Sequence, residues 1–254
     1  MRGSMTKFLT ALPVYNEESH VALVLERVHA FSADVLVIDD GSKDGTAREL
    51  AKFPWVRVVS HPHNMGYGAA LKSAFQYMVD TDFDALVTID CDGQHEPRLI
   101  PDLVAALAPE VDIVSGSRYL ELHAGDSLPP PERRRINELL TGELNERLGL
   151  SLTDAFCGFK AYRVEALSKF DITEPGYAMP LQVWVQAAAL GMRLVEFPVP
   201  LIYLEEERSF GGALDNSEYR LAHYHEVLAR ELARFSVSFN RDQAAISENR
   251  KPPE

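Results

Sequence analysis

Residues 85–95, Ala-Leu-Val-Thr-Ile-Asp-Cys-Asp-Gly-Gln-His, decide the fold class. The run from Ala85 to Ile89 is apolar apart from Thr88 and has the length of a buried strand. It stops at Asp90 and Asp92, one residue apart, followed by Gly93. Two carboxylates at the end of a buried strand need a cation or hydrogen-bond donors to balance them. Hard divalent ions such as magnesium and manganese take oxygen ligands and keep positions open for phosphates. The stretch therefore admits two readings, a metal site holding a nucleoside diphosphate or a solvated acidic turn.

On both sides of this stretch, strands and helices alternate. Strands are predicted at 6–12 (closed by Pro13), 35–38, 55–59 and 111–114, and helices at 20–31, 44–53, 67–79 and 97–108. That alternation predicts an α/β fold, a mostly parallel twisted sheet with helices on both faces, and ligand binding beyond the carboxyl ends of the strands. The second half is less regular. Residues 121–131 hold Gly125 and three successive prolines and read as a mobile loop; 132–148 read as a charged helix, 195–204 as an edge strand and 216–235 as a helix. Residues 1–4 read as a tag remnant and 241–254 as a disordered tail, leaving one domain over 5–240.

The chain has 254 residues, of which 46% are hydrophobic and 25% charged, as in an ordinary folded globule. A net charge of −13 argues against nucleic acid as a partner and against general adhesion to anionic membranes. Cys91 and Cys157 make neither a disulfide framework nor a zinc spacing, which points to a reducing, cytoplasmic compartment. No apolar run approaches the length of a membrane span.

Further acidic and glycine-rich motifs fall at the other strand ends. Pro13-Val14-Tyr15-Asn16-Glu17-Glu18 suits either a helix cap or the wall of a nucleobase pocket. In Asp39-Asp40-Gly41-Ser42-Lys43-Asp44-Gly45-Thr46, Asp44 and Thr46 read as capping residues, whereas Asp40 reads as a ligand-binding carboxylate. Asn64-Met65-Gly66-Tyr67-Gly68 opens a helix with two glycines, offering its N-terminus to an anion, and the nearby His61 and His63 read as structural. Ser115-Gly116-Ser117-Arg118-Tyr119 ends a strand in an arginine, the side chain best shaped for two phosphate oxygens at once. Arg133-Arg134-Arg135 is a basic cluster in an acidic protein, suited to a lipid phosphate or to pairing with Glu132 and Glu138.

Taken together, these motifs resemble the inverting glycosyltransferases with the nucleotide-diphospho-sugar (GT-A) fold, and among them the polyprenyl-phosphate (dolichol-phosphate) mannosyl- and glucosyltransferases. The resemblance covers about the first 120 residues closely. It implies that Pro13, Tyr15, Asn16, Glu17, Asp40, Gly66, Asp90 and Cys91 hold the nucleotide, and that Asp90, Asp92 and Gln94 hold Mg2+ or Mn2+. It assigns 5–120 to the nucleotide sugar and 121–240 to the acceptor, with Arg118, Arg133, Arg134, Arg135 and Lys160 facing the acceptor phosphate. Asp154, in Asp154-Ala155-Phe156-Cys157-Gly158-Phe159-Lys160, joins Arg118 as a catalytic candidate.

The implied reaction is metal-dependent transfer of mannose or glucose from GDP-mannose, or from UDP-glucose, to a polyprenyl phosphate, at the inner face of a membrane. The implied partners include a homodimer copy or a membrane subunit. The same donor with a soluble hydroxyl acceptor is the alternative; a phosphate acceptor needs no general base, whereas a hydroxyl would need one such as Asp154. A sugar-1-phosphate nucleotidyltransferase is disfavoured because Pro13–Glu18 lacks glycine and lysine. A non-catalytic binding protein is disfavoured by the intact Asp90/Asp92 pair together with Arg118. Arg208-Ser209-Phe210-Gly211-Gly212-Ala213 stands where the family has a Gly-x-Ser-Lys stretch, and Tyr219, Leu221, Tyr224, Val227, Leu228 and Leu232 form an apolar stripe, open to a bilayer, a partner or the protein's own core.

Overall fold

A computed structural model describes residues 6–204 and 210–248, with side chains as far as Phe235. The tag remnant, Arg208, Ser209 and residues 249–254 lie outside the described residues. Seven strands form one sheet: β1 (Phe8–Val14), β2 (Val35–Asp39), β3 (Val56–Ser60), β4 (Ala85–Thr88), β5 (Ile113–Ser117), β6 (Lys160–Arg163) and β7 (Leu194–Pro198). Their spatial order is β3-β2-β1-β4-β6-β5-β7. All neighbours run parallel except β6, which is antiparallel to both β4 and β5. The sheet is thus mixed where the sequence predicts a mainly parallel one, and β6 carries no turn signal of its own that marks it as a strand. The predicted edge strand is present at the edge as β7, but it ends at Pro198 rather than running to Leu204.

Strand residues alternate between two cores, as the pleat requires. Val35, Val37, Ala85 and Val87 pack with α1 (Val21–His29) and α4 (Ile100–Ala106) on one face. Leu36, Ile38 and Leu86 pack with α3 (Tyr67–Val79) and α7 (Met179–Ala189) on the other. The remaining helices are α2 (Thr46–Leu50), α5 (Pro131–Leu148), α6 (Val164–Leu167) and α8 (Ser217–Glu248). A third core joins α5, α7 and α8 through Leu140, Leu144, Trp184, Val185, Val227 and Leu228. The apolar stripe of α8, apart from exposed Tyr219, is therefore docked on its own domain. Helix α7 has no solvent-facing side because it is largely buried, Gln182 and Gln186 included, each donating to Glu231, which is why its sequence shows no clear amphipathic period.

Two local expectations change. Helix α8 continues through Glu248, past the point where the sequence predicts disorder; Gln-Ala-Ala-Ile-Ser-Glu (243–248) holds neither glycine nor proline to stop it. The 121–131 loop, expected to be mobile, is anchored: Ser127 N–H donates to the Leu201 carbonyl at 2.7 Å and Leu201 N–H to the Asp126 carboxylate at 2.9 Å.

Gly68 and Gly142 give a paired test of this packing. A Cβ on Gly68 would lie 2.4 Å from the Glu174 carbonyl oxygen and 2.7 Å from the Met179 Cβ, whereas at Gly142 it would meet nothing within 4 Å. Gly68→Ala is expected to cost about 1–3 kcal/mol through overpacking, and Gly142→Ala, in exposed α5, to gain about 0.5–1 kcal/mol. Urea unfolding of the two variants measures both signs.

Candidate active site

A cleft of about 990 Å3 opens beyond the carboxyl ends of β1, β2, β4 and β5. Pro13, Tyr15, Asn16 and Glu17 follow β1, Asp40 follows β2, Gly66 opens α3, and Asp90, Cys91, Asp92 and Gln94 follow β4; all line the cleft. Arg118 after β5 and Arg133 on α5 line it from the other side. Arg134, Arg135, Asp154 and Lys160 do not reach it.

The β1 loop is locked to the β2 loop. Asn16, at φ 55 the non-glycine residue with positive φ among the described residues, accepts from Lys43 N–H at 2.8 Å and donates its own N–H to Ser42 Oγ at 2.9 Å. Asparagine tolerates that conformation better than most side chains. Asp44 caps α2 as expected, accepting from Thr46 N–H at 3.0 Å.

Asp40 is buried, and its carboxylate is heavily used within the protein. It accepts from Met65 N–H and Gly66 N–H, each at 2.8 Å, and pairs with His61 Nδ1 at 2.6 Å; His61 Nε2 continues to Ser73 Oγ at 2.8 Å. The structural reading of His61 holds. The start of α3 differs from expectation: it is not open to an anion. Ala69 N–H donates to the Pro175 carbonyl at 3.0 Å, and a Cβ on Gly66 would lie 2.3 Å from that same oxygen. The two glycines serve close approach of the 174–176 segment rather than of a phosphate.

Asp90 accepts from Tyr67 Oη at 3.0 Å and sits 3.3 Å from His95 Nε2. Its carboxylate occupies the space that a side chain on residue 158 would fill; a Cβ on Gly158 would lie 2.2 Å from Asp90 Oδ2. Asp92 Oδ1 accepts from Gln94 N–H at 3.0 Å. Asp90, Asp92 and the Gln94 amide offer the oxygen ligands that a hard cation prefers, and all three line the cleft. Among the described residues no group of three or more histidine, cysteine or carboxylate side chains forms a cage. A cation held here would complete its shell with substrate oxygens or water, as magnesium does at diphosphate sites.

Across the cleft, Arg118 forks onto Asp154, Nε to Oδ2 at 2.7 Å and Nη2 to Oδ1 at 2.9 Å. Asp154 also accepts from Asn137 Nδ2 at 2.7 Å, from Phe156 N–H at 3.1 Å and from Arg118 N–H at 3.2 Å. Burial pushes the Asp154 carboxyl up, but the Arg118 guanidinium and these donors outweigh it and hold the group well below the usual carboxylate range. Arg118 is held charged in turn. Fully buried, ionised and occupied by five donors, Asp154 holds the Arg118 side chain in place and is a poor proton acceptor. Lys160 is also buried, donating to the Cys157 carbonyl and lying 5.3 Å from the Trp184 ring, with burial pushing its ammonium pKa down.

Arg220 on α8 is a cleft residue absent from the sequence reading. It is 4% exposed, donates to the Leu214 carbonyl at 2.6 Å and lies 4.3 Å from the Phe210 ring, which Arg133 approaches at 4.7 Å. Tyr177 stacks on Tyr67 and meets Phe210 edge-on, carrying this aromatic wall back to Asp90. The signal for Arg220 was a cation one turn before Tyr224 inside the apolar stripe.

Strand-end carboxylates facing a guanidinium across one cleft, on a sheet of this order, define a GT-A-type glycosyltransferase. The chain belongs to glycosyl transferase family 2, whose sequence profile matches residues 10–170. It is 34% identical over 219 residues to an undecaprenyl-phosphate mannosyltransferase of Micrococcus luteus, covering 81% of this chain and 88% of the relative. A polyprenol monophosphomannose synthase of Mycolicibacterium smegmatis is 32% identical, with 78% of each chain covered. Glucosyl-3-phosphoglycerate synthase of Mycobacterium tuberculosis, solved with Mg2+ and uridine diphosphate, shares the fold: TM-score 0.68 at 21% identity, covering 91% of this chain and 80% of that one.

Replacing Asp154 by Asn strands the buried Arg118 charge, and the expected loss of stability is about 3–5 kcal/mol. A depressed carboxylate stabilises above its unfolded pKa of about 3.9 and loses that contribution only as pH falls through the folded value. The stability gap between wild type and D154N is therefore expected to stay constant between about pH 8 and pH 5 and to narrow only in stronger acid, which urea unfolding at stepped pH reads.

Proposed function

We propose that this glycosyltransferase moves a hexose from a nucleoside-diphosphate sugar to a polyprenyl phosphate with inversion at the anomeric carbon. The observation that carries the reading is the polarity of the cleft, with Asp90 and Asp92 on one wall and Arg118, Arg133 and Arg220 on the other. The names of the M. luteus and M. smegmatis relatives support mannose as the sugar and a polyprenyl phosphate as the acceptor. GDP-mannose is the favoured donor, with UDP-glucose the second.

Residues 5–120, Arg118 apart, serve the donor. The walls formed by Pro13, Tyr15, Asn16, Glu17, Gly66 and Cys91 take the nucleoside, and Asp40 holds the Met65–Gly66 wall in place. Asp90, Asp92 and Gln94 would hold Mg2+ or Mn2+, which when bound neutralises charge on the departing diphosphate. Residues 121–240 serve the acceptor. A phosphate monoester with a second pKa of about 6 is already an anionic nucleophile at neutral pH, so guanidinium groups rather than a base are what it needs. An acceptor oxygen bonds to the anomeric carbon as the bond to the diphosphate oxygen breaks, and that electron pair leaves with the nucleoside diphosphate. Arg118 orients the attacking phosphate from its fixed place on Asp154. Arg133 and Arg220, on either side of Phe210, balance its charge. No described helix is long and apolar enough to cross a membrane; the proposed place of work is the cytoplasmic face, reached peripherally.

Thermal unfolding with candidate donors tests the donor half directly. At about a hundredfold excess over Kd, a bound donor adds about 2.7 kcal/mol, or roughly 5 °C or more for a chain of this size. The expected result is stabilisation by GDP-mannose with manganese, lost with chelator and lost in Asp92→Ala; no shift with any sugar nucleotide would refute the donor assignment. Arg220→Ala is expected to raise the KM for a short-chain isoprenyl phosphate about tenfold or more, the worth of one charge-assisted contact. The donor-induced shift should be unchanged in that variant.

A further inference from the structure

Among the described residues, the most exposed large apolar side chains are Leu122 (95%), Leu128 (89%) and Leu204 (62%). All belong to two segments that are joined at one rim of the cleft. Ser127 N–H donates to the Leu201 carbonyl at 2.7 Å, and Ser127 Oγ accepts from Tyr203 N–H at 3.1 Å. Asp126 closes the loop, accepting from His123 N–H at 2.7 Å and Leu201 N–H at 2.9 Å. Tyr119, Ile202 and Tyr203, at the feet of these segments, line the cleft itself. Leu122 and Leu128 are therefore presented by an anchored backbone, and Pro129–Pro131 stiffens the exit into α5.

The charge at this rim differs from that of the chain. Arg133–Arg135 is the only run of three successive cations in the sequence, and it begins two residues into α5. Arg135 is exposed, and Arg134 stacks on the Tyr119 ring at 3.6 Å. Around Leu122 and Leu128, Arg133–Arg135 balance Glu121, Asp126 and Glu132, whereas Glu205–Glu207 follow Leu204 in sequence. An acidic bilayer repels the 121–135 stretch less than the rest of a protein of net charge −13. Of the apolar stripe of α8, Tyr224, Val227 and Leu228 are buried in the third core, and Tyr219 is exposed singly.

We propose that Leu122 and Leu128 insert into the interfacial layer of a lipid bilayer, with Arg135 among the headgroups, so that the cleft opens onto a lipid-borne acceptor. The proposal rests on the reading of that acceptor as a lipid phosphate, and its test is separable from it. The full-length protein is sedimented with vesicles of phosphatidylcholine and phosphatidylglycerol that contain no polyprenyl phosphate. Leu122→Asp/Leu128→Asp is compared with wild type and with Val79→Asp, an exposed valine at the end of α3 remote from the cleft. The expected result is a fall of about tenfold or more in vesicle affinity for the double variant alone, with melting temperature and donor-induced shift unchanged. Transfer to a short-chain, water-soluble isoprenyl phosphate should also be unchanged, while transfer to polyprenyl phosphate in vesicles drops. Wild type that does not bind vesicles, or a double variant that binds as wild type does, overturns the proposal. Leucine-dependent vesicle binding without transfer to any isoprenyl phosphate supports the rim and refutes the acceptor reading instead.

Discussion

The buried pair Arg118–Asp154 organises the basic wall of the cleft. Desolvating two opposite charges is expensive, and the cost is offset only where geometry is good and every remaining lone pair is satisfied. Here the end of β5, the loop before β6 and the α5 residue Asn137 all converge on one carboxylate. Glu196 of β7 supports the same loop from below, accepting from Thr153 N–H at 2.9 Å and Asp154 N–H at 3.0 Å. Arg118 can face the cleft in a fixed orientation because Asn137 Nδ2 and the Phe156 N–H fix its partner.

A second constraint joins the acidic wall to the later part of the chain. Asp90 fits because residue 158 has no side chain, and α3 begins where it does because Gly66 and Gly68 admit the backbone of 174–176. Tyr67 then reaches Asp90 and stacks on Tyr177. Groups that read as separate motifs along the chain are thus one packed unit, in which the strand-end acids, the first turn of α3 and the loop before α7 hold one another in place.

The first half of the fold was legible because its elements are amphipathic or short and apolar, with turns between them; α3 matches its predicted limits of 67–79. The second half was not, for physical reasons. Helix α7 is largely buried and shows no clear period, and β6, only four residues long, takes its identity from the strands on either side. Of the site, the acids and Arg118 were legible from residue type at strand ends. The use of Asp40 on backbone amides, and of the α3 glycines on a carbonyl rather than an anion, was not, because both depend on segments more than twenty residues away in sequence. Arg220 was hidden for the same reason, since its place opposite Arg133 exists only once α8 has packed on α5 and α7.

The position of β6 also bears on what can be taken apart. The strand between β4 and β5 comes from residues 160–163, well after both in sequence. A fragment ending near residue 120 would keep β4 and β5 while losing the strand that joins them, leaving the edges of Leu86, Val87, Ile113 and Val114 unpaired. Unpaired apolar edges are templates for aggregation. The central sheet therefore cannot close until β6 at 160–163 has been made, well after β5 at 113–117.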